Sequence, residues 1–205
     1  IRRQRQMCIR DRASTDPEAE LFFYYSGHGN NDEATKQAYL LPVDITGKNI
    51  HLGISLADLY QRLATYPVKG AYVFLDACFS GGYKSAAPLI AQKGVRVVPK
   101  LGMPQGNTIS FSSSSGDQTS SVYHDKKQGY YTYYLLKTIK DAKGDITMQE
   151  LFERTNAEVK KATALLGKMQ EPQYIVSPTW KDWSSIQLKT PETTSIPVSD
   201  LPANN

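Results

Sequence analysis

Cysteine, histidine and long apolar runs are all scarce in this sequence of 205 residues, and each scarcity excludes a class of protein. Only two cysteines are present, Cys8 and Cys78, so no disulfide framework is predicted and a reducing, cytoplasmic location is favoured. No apolar run approaches the roughly 18 residues that cross a bilayer, and we predict no membrane partner. The three histidines do not have the spacing of metal ligands, so we predict no metal site.

Charge is also spread thinly along the chain. The net charge is +4, and cations are concentrated only in IRRQRQMCIRDR (1–12), so no nucleic-acid partner is predicted. Residues 1–19 show no apolar periodicity and are interpreted as a non-domain N-terminal segment, either an artefact of translated adapter sequence or a disordered basic arm. Proline, serine and threonine predict a C-terminal tail or linker over 184–205. One domain is therefore predicted over 20–183.

Strand-like and helix-like segments alternate within this domain. Continuous apolar runs bounded by glycine, proline or polar residues predict strands, and amphipathic periodicity predicts helices. The predicted strands are 21–27, 38–44, 70–78, 107–115 and 172–178. The predicted helices begin at Ser55 and cover 129–142 and 147–166, the last opened by a capping box of Thr147 and Glu150. This order predicts an α/β fold.

Two of the predicted strands lead into reactive side chains. YYSGHG (24–29) places His28 between two glycines, and DACFSGG (76–82) places Cys78 just before another glycine pair. Functional groups of open parallel sheets collect beyond the carboxyl ends of the strands, so His28 and Cys78 are expected to meet. A free thiol is largely protonated at neutral pH, and a neighbouring imidazole raises its reactivity by taking or sharing the proton. We predict a catalytic pair.

Each of these residues has a simpler explanation when it is considered alone. A cysteine at the end of a buried strand is usually a small core residue, and a lone histidine is usually a satisfied polar group or a surface group. A zinc site of His28, His51, Cys78 and His124 is a further alternative, although their spacing does not support it. Ser26 lacks the flanking-glycine pattern of a hydrolase nucleophile.

At these residues the chain resembles the caspase-like cysteine peptidases, most closely the prokaryotic and metacaspase-type branch. The matching blocks are, in order, YYSGHG, YLLPVD, LDACFSG, GYYTYYLLKTI, GDITMQELFERTNAEV and QEPQY. The 50 residues from His28 to Cys78 also fit the separation found in caspases. The resemblance implies a three-layer αβα sandwich with a mostly parallel central sheet. Because the family domain begins further upstream, the chain is expected to be an N-terminally truncated fragment without the first strand or strands.

The resemblance also implies a role for each residue of the pair. Cys78 would be the nucleophile and His28 the general acid/base of a cysteine endopeptidase. The main-chain N–H groups of Gly29 and Cys78 would form the oxyanion hole, in which each donor contributes about 3 kcal/mol to the transition state. Protein or peptide substrates are the implied partners.

Substrate choice is predicted from Asp76. Residues i and i+2 of a strand share a face, so Asp76 should face the same cleft as Cys78 and select a cationic side chain. The resemblance agrees, because metacaspases have an acid here in the S1 pocket and cleave after Arg or Lys; it also assigns Ser112 and Ser113 to substrate binding. Where caspases that cleave after Asp carry an arginine, this chain has Ser121. The alternative for Asp76 is a structural carboxylate that caps backbone amides.

The sequence leaves two alternatives to an Arg- or Lys-directed caspase-like peptidase. One is a catalytically silent caspase-like binding or scaffold module, and the other is a legumain-like or separase-like peptidase of the same clan. No cofactor is predicted; calcium activates some metacaspases, but the sequence contains no EF-hand loop. Residues 83–106 are predicted to be a loop for self-processing, with an ordinary connector as the alternative. The candidate cleavage positions are Lys84, Lys93, Arg96 and Lys100.

Overall fold

The computed structural model describes residues 11–32, 34–45, 47–79, 100–115 and 118–188. The strands are β1 (Glu20–Ser26), β2 (His28–Asn31), β3 (Ala38–Leu41), β4 (Ile54–Ser55), β5 (Gly70–Asp76), β6 (Thr108–Ser112), β7 (Val122–Tyr123), β8 (Gln128–Gly129), β9 (Ile146–Thr147), β10 (Gln173–Val176) and β11 (Gln187–Leu188). The main α-helices are α1 (Leu56–Leu63), α2 (Tyr130–Asp141) and α3 (Met148–Ala164). Short 3-10 helices cover Gly47–Leu52, His124–Lys126 and Trp183–Ser185, and residues 11–15 are also helical.

The central sheet has four strands in the order β1-β5-β6-β10. β5 pairs in parallel with both β1 and β6, whereas β10 runs antiparallel to β6. All seven residues of β5 are buried, as expected of a strand that is covered on both faces. The prediction of an α/β fold with a mostly parallel central sheet is therefore confirmed.

The side chains of β5 alternate between two apolar clusters on opposite faces of the sheet. Phe74 packs with residues of α2 and α3, and Leu75 packs with residues of α1 and β3. The first cluster comprises Tyr72, Phe74, Ile109, Phe111, Tyr131, Leu135, Ile146, Met148, Leu151 and Trp180. The second comprises Ala38, Leu40, Leu56, Tyr60, Val73, Leu75, Ala77 and Phe79. Helices on both faces of one sheet make the expected three-layer αβα sandwich.

The ends of the helices follow the predicted capping residues. Ser55 precedes α1, and its side chain accepts a hydrogen bond from the N–H of Asp58 at 3.3 Å. Thr147 and Glu150 form the reciprocal capping box at the start of α3. The N-cap of α2 is Gly129, which has no side chain to supply such a bond. The cap of α2 must therefore come from another element.

β1 agrees with the predicted first strand to within one residue at each end, and the chain after it begins a second sheet. β1 ends at Ser26, and His28 begins β2, which belongs to a separate antiparallel sheet with β3 and β4. The hydroxyl of Tyr25 donates to the carbonyl oxygens of both His28 and Leu41 at 2.8 Å, which ties the start of this second sheet to the end of β1. His28 therefore lies in a paired strand rather than in a loop.

The described part of the N-terminal segment contacts the core. Ala13 is 2% exposed and packs with Val68 and Ala71. The segment contained no periodic signal for this contact, because a single small residue among charged ones carries none. The division of the chain into segment, domain and tail stays a prediction, since residues 1–10 and 189–205 lie outside the described residues. Residues 83–99, which are most of the proposed processing loop, also lie outside them.

Candidate active site

The site begins where the parallel strands β1 and β5 end together. Ser26 is the register partner of Asp76, so the chain continues into His28 and Cys78 from neighbouring positions at one edge of the sheet. The N–H of Gly27 donates to the carbonyl oxygen of Asp76 at 3.1 Å and prolongs this ladder by one bond. The topology therefore delivers the two predicted catalytic segments to the same place.

Gly29 allows β2 to approach the cysteine closely. A Cβ atom on this residue would stand 2.7 Å from the carbonyl oxygen of Cys78 and 2.6 Å from the ring of Phe79. Any side chain would push the two segments apart, because such distances are shorter than van der Waals contact. The structure thus brings together Gly29 and Cys78, the two residues assigned to the oxyanion hole.

The thiol and the imidazole are not hydrogen-bonded to each other in this structure. The thiol of Cys78 is half-buried, and the main-chain N–H of Ser120 donates to its Sγ at 2.6 Å. The side chain of His28 is exposed at the start of β2. Their backbones adjoin through Gly29, but within the described residues the hydrogen bonds of the thiol are made with Ser120.

Asp76 is buried, with 6% of its surface exposed, and contacts the first turn of α2. Its Oδ2 accepts hydrogen bonds from the hydroxyl of Thr132 at 2.5 Å and from the N–H of Thr132 at 3.3 Å. The hydroxyl of Tyr24 lies 2.7 Å from the same Thr132 hydroxyl. Burial raises the pKa of Asp76, and hydrogen bonds from Thr132 and Ser113 oppose this shift.

This arrangement makes Asp76 the N-terminal cap of α2. The carboxylate occupies the position that the missing side chain of Gly129 would fill, and it accepts from the third residue of the helix. The geometry is that of the structural carboxylate that was the alternative for Asp76. It leaves the predicted role in substrate selection untested.

We predict that Gly129→Ala destabilises the fold by about 2 kcal/mol. The added Cβ would overlap Oδ2 of Asp76 and stand 2.8 Å from its Cγ, and the two bonds to Thr132 restrain the carboxylate from moving aside. Urea unfolding of the single variants and of the pair Gly129→Ala, Asp76→Ala measures the effect. The alanine at 129 should cost much less once Asp76 is removed; an equal cost in both backgrounds would assign it to the helix cap alone.

The predicted substrate-binding serines are buried beside the nucleophile. Ser113 is fully buried, and its hydroxyl donates to the carbonyl oxygen of Ala77 at 3.4 Å and shares a hydrogen bond with the hydroxyl of Ser120. Ser112 is 5% exposed and donates to the carbonyl oxygen of Ser114 at 3.3 Å. Ser113 therefore binds the residue before Cys78, whereas Ser112 binds within its own segment, and a contact of either serine with substrate stays a prediction.

Sequence reasoning missed three residues that the structure places around the site. They are Ser120, whose N–H meets the thiol; Thr132, which binds Asp76; and Gln170, which binds the chain on both sides of Ser120. Thr132 and Gln170 lie in the blocks GYYTYYLLKTI and QEPQY that carry the family resemblance. The sequence signal that could have identified Thr132 and Gln170 is that each is a polar residue within a block that resembles the family.

The alternative of a zinc site is not supported by the geometry. Among the described residues, no group of three or more His, Cys, Asp or Glu side chains is arranged to hold a metal ion. The side chains of His51 and His124 are exposed and lie in separate 3-10 helices.

No helix in the described part of the chain is both long and apolar enough to span a bilayer.

Comparison with known proteins agrees with this fold and assigns the family. The chain is similar to a protein of Geobacter sulfurreducens known from a crystal structure, with a TM-score of 0.50 and 16% sequence identity over 92% of this chain and 77% of the other. At that identity the likeness concerns the fold alone. None of the curated proteins matches the chain. A family model of the caspase domain matches residues 2–182, and because this match covers most of the sequence, the chain belongs to the caspase-domain family of cysteine peptidases.

Proposed function

We propose that this protein is a cysteine endopeptidase in which Cys78 is the nucleophile and His28 the general acid/base. The observation that carries the proposal is the close approach of Gly29 to the carbonyl oxygen of Cys78 at the joint end of β1 and β5. This approach places the only histidine of β2 next to the nucleophile segment. Membership of the caspase-domain family supports the reaction class.

The proposed reaction proceeds in two balanced steps. His28 takes the thiol proton of Cys78, Sγ adds to the scissile carbonyl carbon, and the proton then passes to the departing amine as a thioester forms. Water, deprotonated by His28, next hydrolyses the thioester and restores the thiol. The main-chain N–H groups of Gly29 and Cys78 would hold the carbonyl oxygen while it carries negative charge. In this proposal the imidazole of His28, which is exposed, changes rotamer to reach the thiol.

Cleavage after Arg or Lys is the finer part of the proposal. It is supported by the carboxylate of Asp76, the last residue of β5 and two residues before the nucleophile, and by Ser121 at the position where Asp-directed caspases carry an arginine. Ser121 is 7% exposed, and its N–H donates to Gln170 Oε1 at 2.8 Å. A neutral side chain here has no charge with which to pair an acidic P1 residue.

One observation favours a catalytically silent caspase-like module instead. The Sγ of Cys78 interacts with Ser120, and His28 is exposed with no hydrogen bond to the thiol. In such a module the fold would serve binding rather than cleavage. The two functions differ in whether Cys78 forms a covalent bond with a peptide carbonyl or its analogue.

Covalent labelling of the full chain tests the peptidase proposal. Fluorogenic peptides with Arg, Lys, Asn or Asp at P1 are supplied first, and we expect cleavage of the Arg and Lys peptides only. A peptidyl chloromethyl ketone ending in Arg should then add one inhibitor mass, located at Cys78 by peptide mapping. Cys8, the other cysteine of the chain, is the internal control and should remain unlabelled. Cleavage of no peptide together with equal labelling of both cysteines would support the silent module.

A further inference from the structure

A loop rich in serine lies against the candidate nucleophile. We call residues 113–121 the serine loop; the structure describes 113–115 and 118–121 of it. The main-chain N–H of Ser120 in this loop donates to Sγ of Cys78 at 2.6 Å. The thiol in turn donates to the carbonyl oxygen of Ser120 over a longer distance, 3.9 Å. The N–H contact binds the thiolate more strongly than the thiol, because an N–H group binds a charged acceptor more strongly than a neutral one.

Gln170 joins the two ends of the serine loop. Its side chain is nearly buried, with 2% of its surface exposed. Oε1 accepts from the N–H of Ser121 at 2.8 Å, and Nε2 donates to the carbonyl oxygen of Ser113 at 3.0 Å. One side-chain amide therefore uses both its donor and its acceptor to fix the chain immediately after Ser120 and at the start of the loop.

The loop is also held at its start and beside its other end. The fully buried Ser113 binds the carbonyl oxygen of Ala77 and the hydroxyl of Ser120, which connects the loop to the residue before the nucleophile. The N–H of Glu171 donates to Gln118 Oε1 at 2.6 Å. These bonds leave Ser120 little freedom to turn its N–H away from the thiol.

We propose that Gln170 is a positioning residue for Cys78, which acts by holding the Ser120 N–H against Sγ, where this donor can bind the thiolate. The inference rests on the proposed function, in which Cys78 is the nucleophile. His28 then performs the proton transfers of the reaction, whereas the Ser120 N–H stabilises the thiolate before substrate arrives. Gln170 itself touches neither substrate nor sulfur.

The test is the pH profile of alkylation of Cys78 by iodoacetamide, followed by peptide mapping in the full chain. Gln170→Met keeps the size of the side chain and removes both hydrogen bonds. We expect its alkylation of Cys78 at pH 7 to be about tenfold slower and its profile to move about one pH unit higher. Tyr60→Phe is the matched control, because it removes a buried hydrogen bond, from the Tyr60 hydroxyl to Ser110 Oγ at 2.9 Å, within the other layer of the fold. The control profile should not move.

A second variant keeps the test decisive where Gln170→Met does not fold. Ser113→Ala removes the bonds to Ala77 and Ser120, and its alkylation should slow in the same direction by a smaller factor. Cooperative thermal unfolding identifies which variants are folded. Unchanged or faster alkylation in a folded variant overturns the inference.

The same measurements separate this inference from the proposed function. Alkylation of Cys78 does not require any peptide to be cleaved. A chain that shows the shifted profile and cleaves no peptide contradicts the peptidase and leaves the positioning role of Gln170 in place. A chain that cleaves peptides while Gln170→Met alkylates like the parent contradicts the positioning role alone.

Discussion

Replacing His28 with alanine should lower kcat/KM for an Arg peptide by about a thousandfold, close to the residual rate of Cys78→Ala, while the free energy of unfolding stays nearly constant. The loss is large because the imidazole would carry the proton in both steps of the proposed reaction. Stability should hardly change because the side chain is exposed. Steady-state kinetics and urea unfolding measure the two quantities.

The chain contains its own controls for this experiment. His51→Ala and His124→Ala each remove an exposed histidine that lies in a 3-10 helix outside the proposed dyad, and both should keep the parental kcat/KM. Alkylation of Cys78 in His28→Ala should still exceed that of a free thiol peptide, because the donor from Ser120 remains. A loss of less than tenfold, or an equal loss in either control, would remove His28 from the proposed dyad.

The layered architecture could be predicted because it depends on local pattern. The run Gly70–Asp76 is continuously apolar up to its last residue, and such a run of strand length belongs to a strand covered on both faces. The caps of α1 and α3 depend on residues within one turn, so Ser55 and the box of Thr147 and Glu150 were visible in the sequence. Short-range signals of this kind survive in the fold because packing supports the same conformation.

The sequence predicted that the segments of His28 and Cys78 meet, but it did not predict the contacts that each side chain makes. The parallel pairing of β1 with β5 follows from the layout, and it brings the segments of His28 and Cys78 together. The partner of the thiol is Ser120, which comes 42 residues later in a loop whose path is set by tertiary contacts. No periodicity or spacing marks a main-chain N–H as a donor to sulfur, so this contact required coordinates.

The contacts of Asp76 also could not be predicted from the sequence. Its position two residues before Cys78 predicts a shared strand face, and that geometry led to the proposed cationic specificity. The partner that the structure adds is Thr132, 56 residues away at the start of α2. A glycine at the N-cap of a helix is a signal that some other group supplies the cap, and here that group is the carboxylate of Asp76. The two roles of Asp76 can be separated by experiment.

Asp76→Asn should remove most of the Arg and Lys preference and leave the fold at least as stable at neutral pH. The amide oxygen of asparagine can still accept from Thr132, so the cap of α2 is kept. A cationic P1 side chain, however, loses its charged partner, which costs about 3 kcal/mol, or about a hundredfold in kcat/KM for Arg relative to Asn at P1. Asp58→Asn, which changes an exposed carboxylate in the first turn of α1, is the matched control and should leave the P1 profile unchanged.

The free energy of unfolding of the parent, Asp76→Asn and Asp76→Ala should depend differently on pH. Burial raises the pKa of Asp76, so the native state binds more protons than the unfolded state between the ordinary pKa of 3.8 and the raised value. The contribution of Asp76 to stability therefore declines as pH rises through that window and is constant above it. In urea unfolding, the stability of Asp76→Asn relative to the parent should therefore increase as pH rises across this window. Asp76→Ala should be about 2 kcal/mol less stable than the parent, because the buried donors of Thr132 are left unpaired. A stable Asp76→Asn protein with an unchanged P1 profile would leave Asp76 as the cap of α2 and nothing more.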